Sequence, residues 1–382
     1  MTRLVILTEI ISPYRIPLFN TLARQGSVDL HVIFLAETDP NLRQWPIYKD
    51  EIEFSYQVLP SWRKRLGKYN ALLNRGLGHA LTAAAPDIIL CGGYSYIASW
   101  QSLLWSRSRG IPFLLWSESN LQDLRRGYAL VEFLKREFIR RCDGFVVPGI
   151  SAREYLRAQG IKEDSIFTAP NAVDNDRFAS AAAVARKEAD GRRHELGLPN
   201  RYFLFVGRLV PEKGVFDLLF AYAKLDGAVR QKVGLVFVGD GVSRRWLEER
   251  AASIAPGVVT FSGFAQREQL AAYYALAQAL ILPTHSDTWG LVVNEAMACG
   301  SPVILSRAAG CAADLVINRW NGLLVAPKDI LALSAAMAGL AQQPNLCVTL
   351  GGNAGQHISS YSPAAWARGV AGAVATTEGM HE

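Results

Sequence analysis

The stretch Pro283–Val303, PTHSDTWGLVVNEAMACGSPV, decides how the rest of the chain is read. It opens as a loop of small polar residues that carries an acid, Asp287, and a Trp-Gly turn at Trp289 and Gly290. A helix-like run with a second acid, Glu295, follows, and Gly300 and Pro302 stop it before an apolar strand. A helix beginning near Gly290 aims its unpaired first N–H groups and positive dipole end into the preceding loop, which attracts phosphate. Eight helical residues rise about 12 Å. Asp287 and Glu295, with an anion site between them, therefore suit a long ligand with hydroxyls at both ends, such as a nucleotide sugar. The plainer alternative is two solvent-facing acids on an ordinary helix, and the surrounding sequence has to decide.

Upstream of this stretch the same grammar repeats. Tyr202–Val206 reads as a strand, followed at once by Gly207-Arg208 and then Leu-Val-Pro-Glu-Lys213-Gly214 and a helix. Arg208 and Lys213 both reach an anion above that strand end, one as a planar fork and the other as a point charge. The GxxxxGK[ST] order of a Walker A loop is absent. Further strands are expected at Val233–Val238 (ending in Gly239-Asp240-Gly241), Val258–Phe261 (before Gly263-Phe264), Ala279–Leu282, Val303–Leu305 and Leu323–Val325. The first half alternates in the same way: Leu4–Leu7, a helix over Pro17–Gln25, His31–Leu35, Asp87–Cys91, Pro112–Trp116, Gly144–Val147 and Ser165–Thr168. Apolar strands alternating with helices argue parallel sheets covered on both faces, with ligands at the carboxyl ends of strands. That nominates Ser12–Arg15, Gly92–Tyr96 and Ser117–Asn120 as the loops to watch. No GxGxxG follows the first strand, so a dinucleotide-binding domain is not supported.

At 382 residues the chain exceeds one comfortable core. Strand character lapses over the Ala-, Arg- and Lys-rich region from Asp176 to Asn200. Two domains are expected, 1–175 and 176–360, with a last helix at 361–382 that crosses back to the first domain. Half the residues are apolar, which is a folded composition, and the net charge of +6 falls short of a nucleic-acid signature. Five scattered cysteines without CxxC spacing read as reduced thiols of a cytosolic protein, with neither a zinc site nor a disulfide framework. No signal peptide and no membrane-spanning run are read, so the protein is expected to be soluble or peripheral. Two basic stretches, Ser61–Arg75 and Arg125–Arg141, interleave cations with apolar residues, the second as a helix with one buried stripe and one basic face. They read either as solvated faces or as a surface for anionic lipid headgroups at the inner face of the cytoplasmic membrane.

GRLVPEKG at 207–214, VGDG at 238–241, SGF at 262–264 and DTWGLVVNEAMACGSPV at 287–303 occur in that order. Together they resemble the nucleotide-sugar domain of family 4 glycosyltransferases, whose GT-B fold has two Rossmann-like, doubly wound parallel-sheet α/β domains facing across a cleft. PNAVDNDRF at 170–178 is similar to the segment between those domains. SPYRIPLFNTLA, at 12–23, is similar to the start of bacterial members that build polysaccharide or glycolipid.

The resemblance implies a retaining transfer of a hexose from a UDP- or GDP-sugar to a glycan or lipid-linked acceptor, with no catalytic metal and no cofactor. Arg208 and Lys213 would neutralise the leaving diphosphate, with the backbone of Thr288, Trp289, Gly290 and Leu291 assisting. Asp287 would hold the donor hexose and Glu295 the ribose hydroxyls. Gly207 belongs to the same motif, and Gly239 and Phe264 would lie near the base. On the acceptor side, Tyr14, Arg15 and Glu118 are nominated from strand-end position. Two departures stand out: Asp287 replaces the usual Glu of the family's E-x7-E pair, and neither His31 nor His79 occupies an acceptor-loop strand end. Two other readings stay open, a nucleotide-sugar epimerase or hydrolase of similar shape, and a non-catalytic partner of another transferase.

Overall fold

The computed structural model describes residues 1–39, 45–66, 69–121, 129–256 and 258–381. They divide into two compact units. The first comprises Met1–Leu121 and Arg125–Val173 together with Ser362–Glu382, and the second comprises Asp174–Tyr361.

In the first unit, seven strands form one parallel sheet: β1 (Arg3–Thr8), β2 (Asp29–Phe34), β3 (Ser55–Val58), then, after a hairpin, β6 (Ile88–Cys91), β7 (Phe113–Trp116), β8 (Gly144–Val147) and β9 (Ile166–Thr168). Their order is β3-β2-β1-β6-β7-β8-β9, so the winding reverses between β1 and β6. Strands β1, β6, β7 and β8 are almost unbroken apolar runs, as burial on both faces requires, whereas the edge strand β3, SYQV, is mostly exposed. One face packs under Leu81, Leu103, Phe138 and Leu156. The other is closed by the helix Ile16–Gln25 and by the last helix, Pro363–His381. From that last helix Trp366, fully buried, sets its ring 5.6 Å from Phe19 and 5.3 Å from Trp116.

The hairpin β4 (Ser61–Leu66) and β5 (Tyr69–Asn74) corrects the view of Ser61–Arg75 as a basic face. Strand alternation turns Arg63 and Leu72 inward and leaves Trp62 and Leu73 exposed. Arg63 donates to Asp39 Oδ2 at 2.7 Å and to Glu9 Oε1 at 3.2 Å, which ties the hairpin to the loops after β2 and β1. The helix Ala129–Ile139 also departs from expectation. Phe138 and Ile139 are buried, but Val131, Phe133 and Leu134 are exposed beside Arg136 and Arg140. Gly67-Lys68 and residues 125–128 of the two basic stretches lie outside the described residues.

The second unit begins with helices Asn175–Lys187 and Ala189–Leu196, where the sequence loses its strand character. Asp174 caps the first of them by accepting from the Arg177 N–H. Six parallel strands follow: β10 (Tyr202–Val206), β11 (Gly234–Val238), β12 (Val259–Gly263), β13 (Ala279–Leu282), β14 (Val303–Ser306) and β15 (Gly322–Val325). Their order is β12-β11-β10-β13-β14-β15. Phe203 pairs with Ala279 and Leu204 with both Val236 and Leu280. The winding reverses between β10 and β13, and in an open α/β sheet a ligand crevice forms at such a switch point. Among the described residues no helix is long and apolar enough to cross a membrane, and all five cysteines are free.

Candidate active site

In the second unit the loops after β10 and β13 meet at the switch point. The first is shaped by close backbone packing. Gly207 N–H donates to Val238 O, Gly239 N–H to Gly263 O and Leu209 N–H to Asp240 O, at 3.0, 2.7 and 2.9 Å. Gly239 holds φ +132°, and a Cβ there would run into the Gly207 carbonyl oxygen. The turn at Gly214, φ +70°, presses against the Pro283 carbonyl and so fixes Lys213 beside the second loop. His285 N–H and Thr284 Oγ1 both donate to Glu212 O, at 2.8 and 2.9 Å, and His285 Nε2 shares a 2.6 Å hydrogen bond with Asp217 Oδ2.

These constraints bring Lys213 and Asp287 into direct contact: Nζ donates to Oδ2 at 2.5 Å, with both side chains mostly buried. Lys213 and Asp287, assigned by resemblance to different parts of one ligand, thus hold each other. Arg208 stands exposed, and its guanidinium makes no hydrogen bond or ion pair with the described residues. Thr288 is exposed, and Gly290 caps the helix Leu291–Ala298, whose first turn receives no side-chain cap. Trp289 is buried and donates its indole N–H to Asn294 Oδ1 at 2.9 Å, so its side chain supports the turn. Phe264 is 43% exposed at the end of β12.

Neither acid is the solvent-facing residue of the plainer reading. Glu295 is fully buried, and burial pushes its carboxyl up to about 7, against the opposing hydrogen bond from Tyr274. Tyr274, also fully buried, donates to Glu295 Oε2 at 2.5 Å, and Glu295 Oε1 is buried with no hydrogen-bond partner. Tyr274, His285 and Asp217 were not among the residues singled out from sequence. Tyr274 sits in the apolar run REQLAAYYAL, where only its complete burial reveals that the hydroxyl must find an acceptor.

In the first unit, Arg15 and Glu118 come together at the carboxyl ends of β1 and β7. Arg15 donates to Thr8 Oγ1 at 2.7 Å, lies 4.3 Å above the Trp116 ring and comes within 3.7 Å of Glu118 Oε1. Asn171 donates to the same Glu118 oxygen at 3.3 Å. Tyr14 instead sets its ring edge-on to Trp45, 5.9 Å between centroids. Among the described residues no three His, Cys, Asp or Glu side chains gather as a metal site.

Two family descriptions match the chain: "Glycosyltransferase Family 4" over residues 18–177 and "Glycosyl transferases group 1" over residues 187–357. D-inositol 3-phosphate glycosyltransferase 2 of Catenulispora acidiphila is 33% identical over 231 residues, 58% of this chain and 52% of that protein. Glycogen synthase of Mycobacterium tuberculosis is 33% identical over 210 residues, 54% of this chain and 47% of that protein. The chain thus spans about half the length of the curated relatives it matches. Among solved structures, Anabaena HepE in complex with UDP and glucose superposes with a TM-score of 0.77 at 17% identity, over 98% of this chain and all of that one. Sucrose-phosphate synthase of Thermosynechococcus elongatus superposes with 0.75 at 21% identity, over 99% of this chain and all of that one. At such identities the likeness concerns the fold.

Proposed function

We infer, from a chain that belongs to the family 4 glycosyltransferases, a retaining transfer of a hexose from a UDP- or GDP-sugar to a glycan or lipid-linked acceptor. The observation that carries this reading is the meeting of Lys213 and Asp287 at the switch point of the second sheet, beside a helix start without a side-chain cap. There Lys213, joined by Arg208, would offset the charge that develops on the leaving diphosphate as the sugar–phosphate bond breaks. Removing such a preorganised charge partner costs about a hundredfold in rate. Asp287 would turn from Lys213 to a hexose hydroxyl, and Glu295 would take the ribose. Lys213 and Arg208 would together supply the leaving-group stabilisation, and the reaction is expected to proceed without a metal or cofactor.

HepE was crystallised with UDP and glucose, which supports a UDP-sugar as the first donor to try. A panel of UDP- and GDP-sugars screened by thermal shift identifies the donor, because a ligand of the folded state raises the melting point. Release of nucleoside diphosphate is then measured with and without acceptor. Acceptor-dependent release supports the transferase. A changed sugar without acceptor would make this an epimerase, acceptor-independent release a hydrolase, and no turnover a binding partner.

The first unit would take the acceptor at Arg15 and Glu118. The exposed Phe133, with Arg136 on the same helix and Arg140 just past its end, favours a peripheral contact with anionic lipid at the inner membrane face. Co-sedimentation with vesicles containing anionic lipid should exceed that with neutral vesicles, and Phe133→Ser should reduce it. Equal recovery with both vesicle types would remove membrane contact from this reading.

A further inference from the structure

We propose that Tyr274 is a positioning residue for the donor nucleotide: by holding Glu295 Oε2, its hydroxyl leaves the other carboxylate oxygen, Oε1, buried and unpaired, as the acceptor for ribose hydroxyls once the nucleotide enters. This rests on the donor reading given above. A buried carboxylate oxygen without a partner is costly, and a fold that retains one calls for an explanation, of which a ligand is one. The Tyr274 hydroxyl supplies the hydrogen bond that favours the ionised carboxylate, opposing the burial that disfavours it.

The elements packed around Glu295 offer little else. From the helix Asn175–Lys187, Arg186 donates to the Cys299 carbonyl, and Arg177 pairs with Glu268. Cys299, one turn on from Glu295, is a buried thiol. On the helix Pro344–Ile358, His357 bonds the Asp314 carbonyl. Tyr274, on the helix Arg267–Leu276, is therefore the hydroxyl that sets both the orientation and the charge of Glu295. An ionised Oε1 accepts from a ribose hydroxyl, and protonation of the carboxyl weakens that capacity.

Tyr274→Phe deletes one oxygen and leaves the ring in place, and Glu295→Gln is the control. Two profiles are measured from pH 5 to 9: the affinity for UDP and GDP by titration calorimetry, and the melting temperature without nucleotide. Tyr274→Phe should weaken nucleotide binding about tenfold at pH 7, as expected for one lost hydrogen bond to a charged group. It should also move upward, by about one unit, the pH at which affinity is regained and the pH at which the ligand-free melting temperature stops falling. Glu295→Gln should flatten the part of both profiles that this carboxyl contributes. Wild-type affinity and unshifted profiles in Tyr274→Phe would overturn the proposal. If Tyr274→Phe moves the ligand-free profile while wild type and Glu295→Gln bind nucleotide equally or not at all, the Tyr–Glu pair stands. In that case its assignment to a donor ribose falls.

Discussion

The two units present polar groups at the same place, the carboxyl edge of a parallel sheet where its winding reverses, yet they hold them by different means. In the second unit the backbone does the holding. Glycines at 214 and 239 let loops approach one another at carbonyl distance, and Lys213 and Asp287 are fixed by that approach. In the first unit side chains hold side chains: Arg15 lies on Trp116, reaches Thr8 and Glu118, and shares Glu118 with Asn171. Backbone-built geometry leaves few residue choices at its key positions. A side-chain cluster can be exchanged piece by piece. The first arrangement suits a ligand part common to many reactions, such as a diphosphate, and the second suits a partner that differs from one protein to the next.

The largest effect expected from this contrast comes from the cations of the second unit. Lys213→Ala and Arg208→Ala should each lower kcat by about a hundredfold or more in a steady-state assay, with folding unchanged by circular dichroism. Near wild-type turnover in either variant would place the diphosphate elsewhere.

Next comes Glu295. Its folded-state carboxyl lies near 7, above the ordinary 4.5, so the folded state holds an extra proton between those values. Stability without nucleotide should therefore be greatest below about pH 4.5, as far as this group is concerned, and fall as pH rises toward 7. The penalty at pH 8 is on the order of 3 kcal/mol. Glu295→Gln should accordingly melt several degrees higher than wild type at pH 8 while binding nucleotide more weakly. A lower melting point at that pH would refute the linkage.

A smaller effect belongs to the first unit. Glu118→Gln keeps the shape but loses the charge beside Arg15, and it should raise the acceptor KM by about tenfold or less while leaving donor affinity alone. A change in donor affinity instead would contradict the division of labour between the units. The smallest effect of all is expected from chelation. EDTA should leave turnover within about twofold, since side-chain cations carry the leaving-group charge in this reading, and a loss restored by added divalent metal would rule that out.

Much of this was legible in the sequence because it is written locally. Strand runs such as YFLFV at 202–206 and ALIL at 279–282 are apolar throughout, Gly207 and Gly239 follow strand ends, and Gly290 precedes a helix. What was not legible depends on burial or on pairing across the chain. The stretch from Ser61 to Arg75 mixes its cations with apolar groups, yet only the hairpin register shows that Arg63 turns in toward Asp39 and Glu9. Val131, Phe133 and Leu134 fit a buried stripe by spacing, but the sheet already has its cover, and they face solvent. The contact between Lys213 and Asp287, 74 residues apart, and the one between Tyr274 and Glu295, 21 apart, follow from sheet topology that no local pattern encodes.

Trp366 and the helix around it complete the hydrophobic interior of the unit that begins at residue 1. During synthesis, then, Phe19 and Trp116 leave the ribosome without the Trp366 ring that packs on both, and must wait for the helix Pro363–His381 far downstream. Until that segment emerges, an oily groove is open to chaperones and to other nascent chains. Yield in the cell should therefore depend on how promptly Pro363–His381 reaches the sheet it covers.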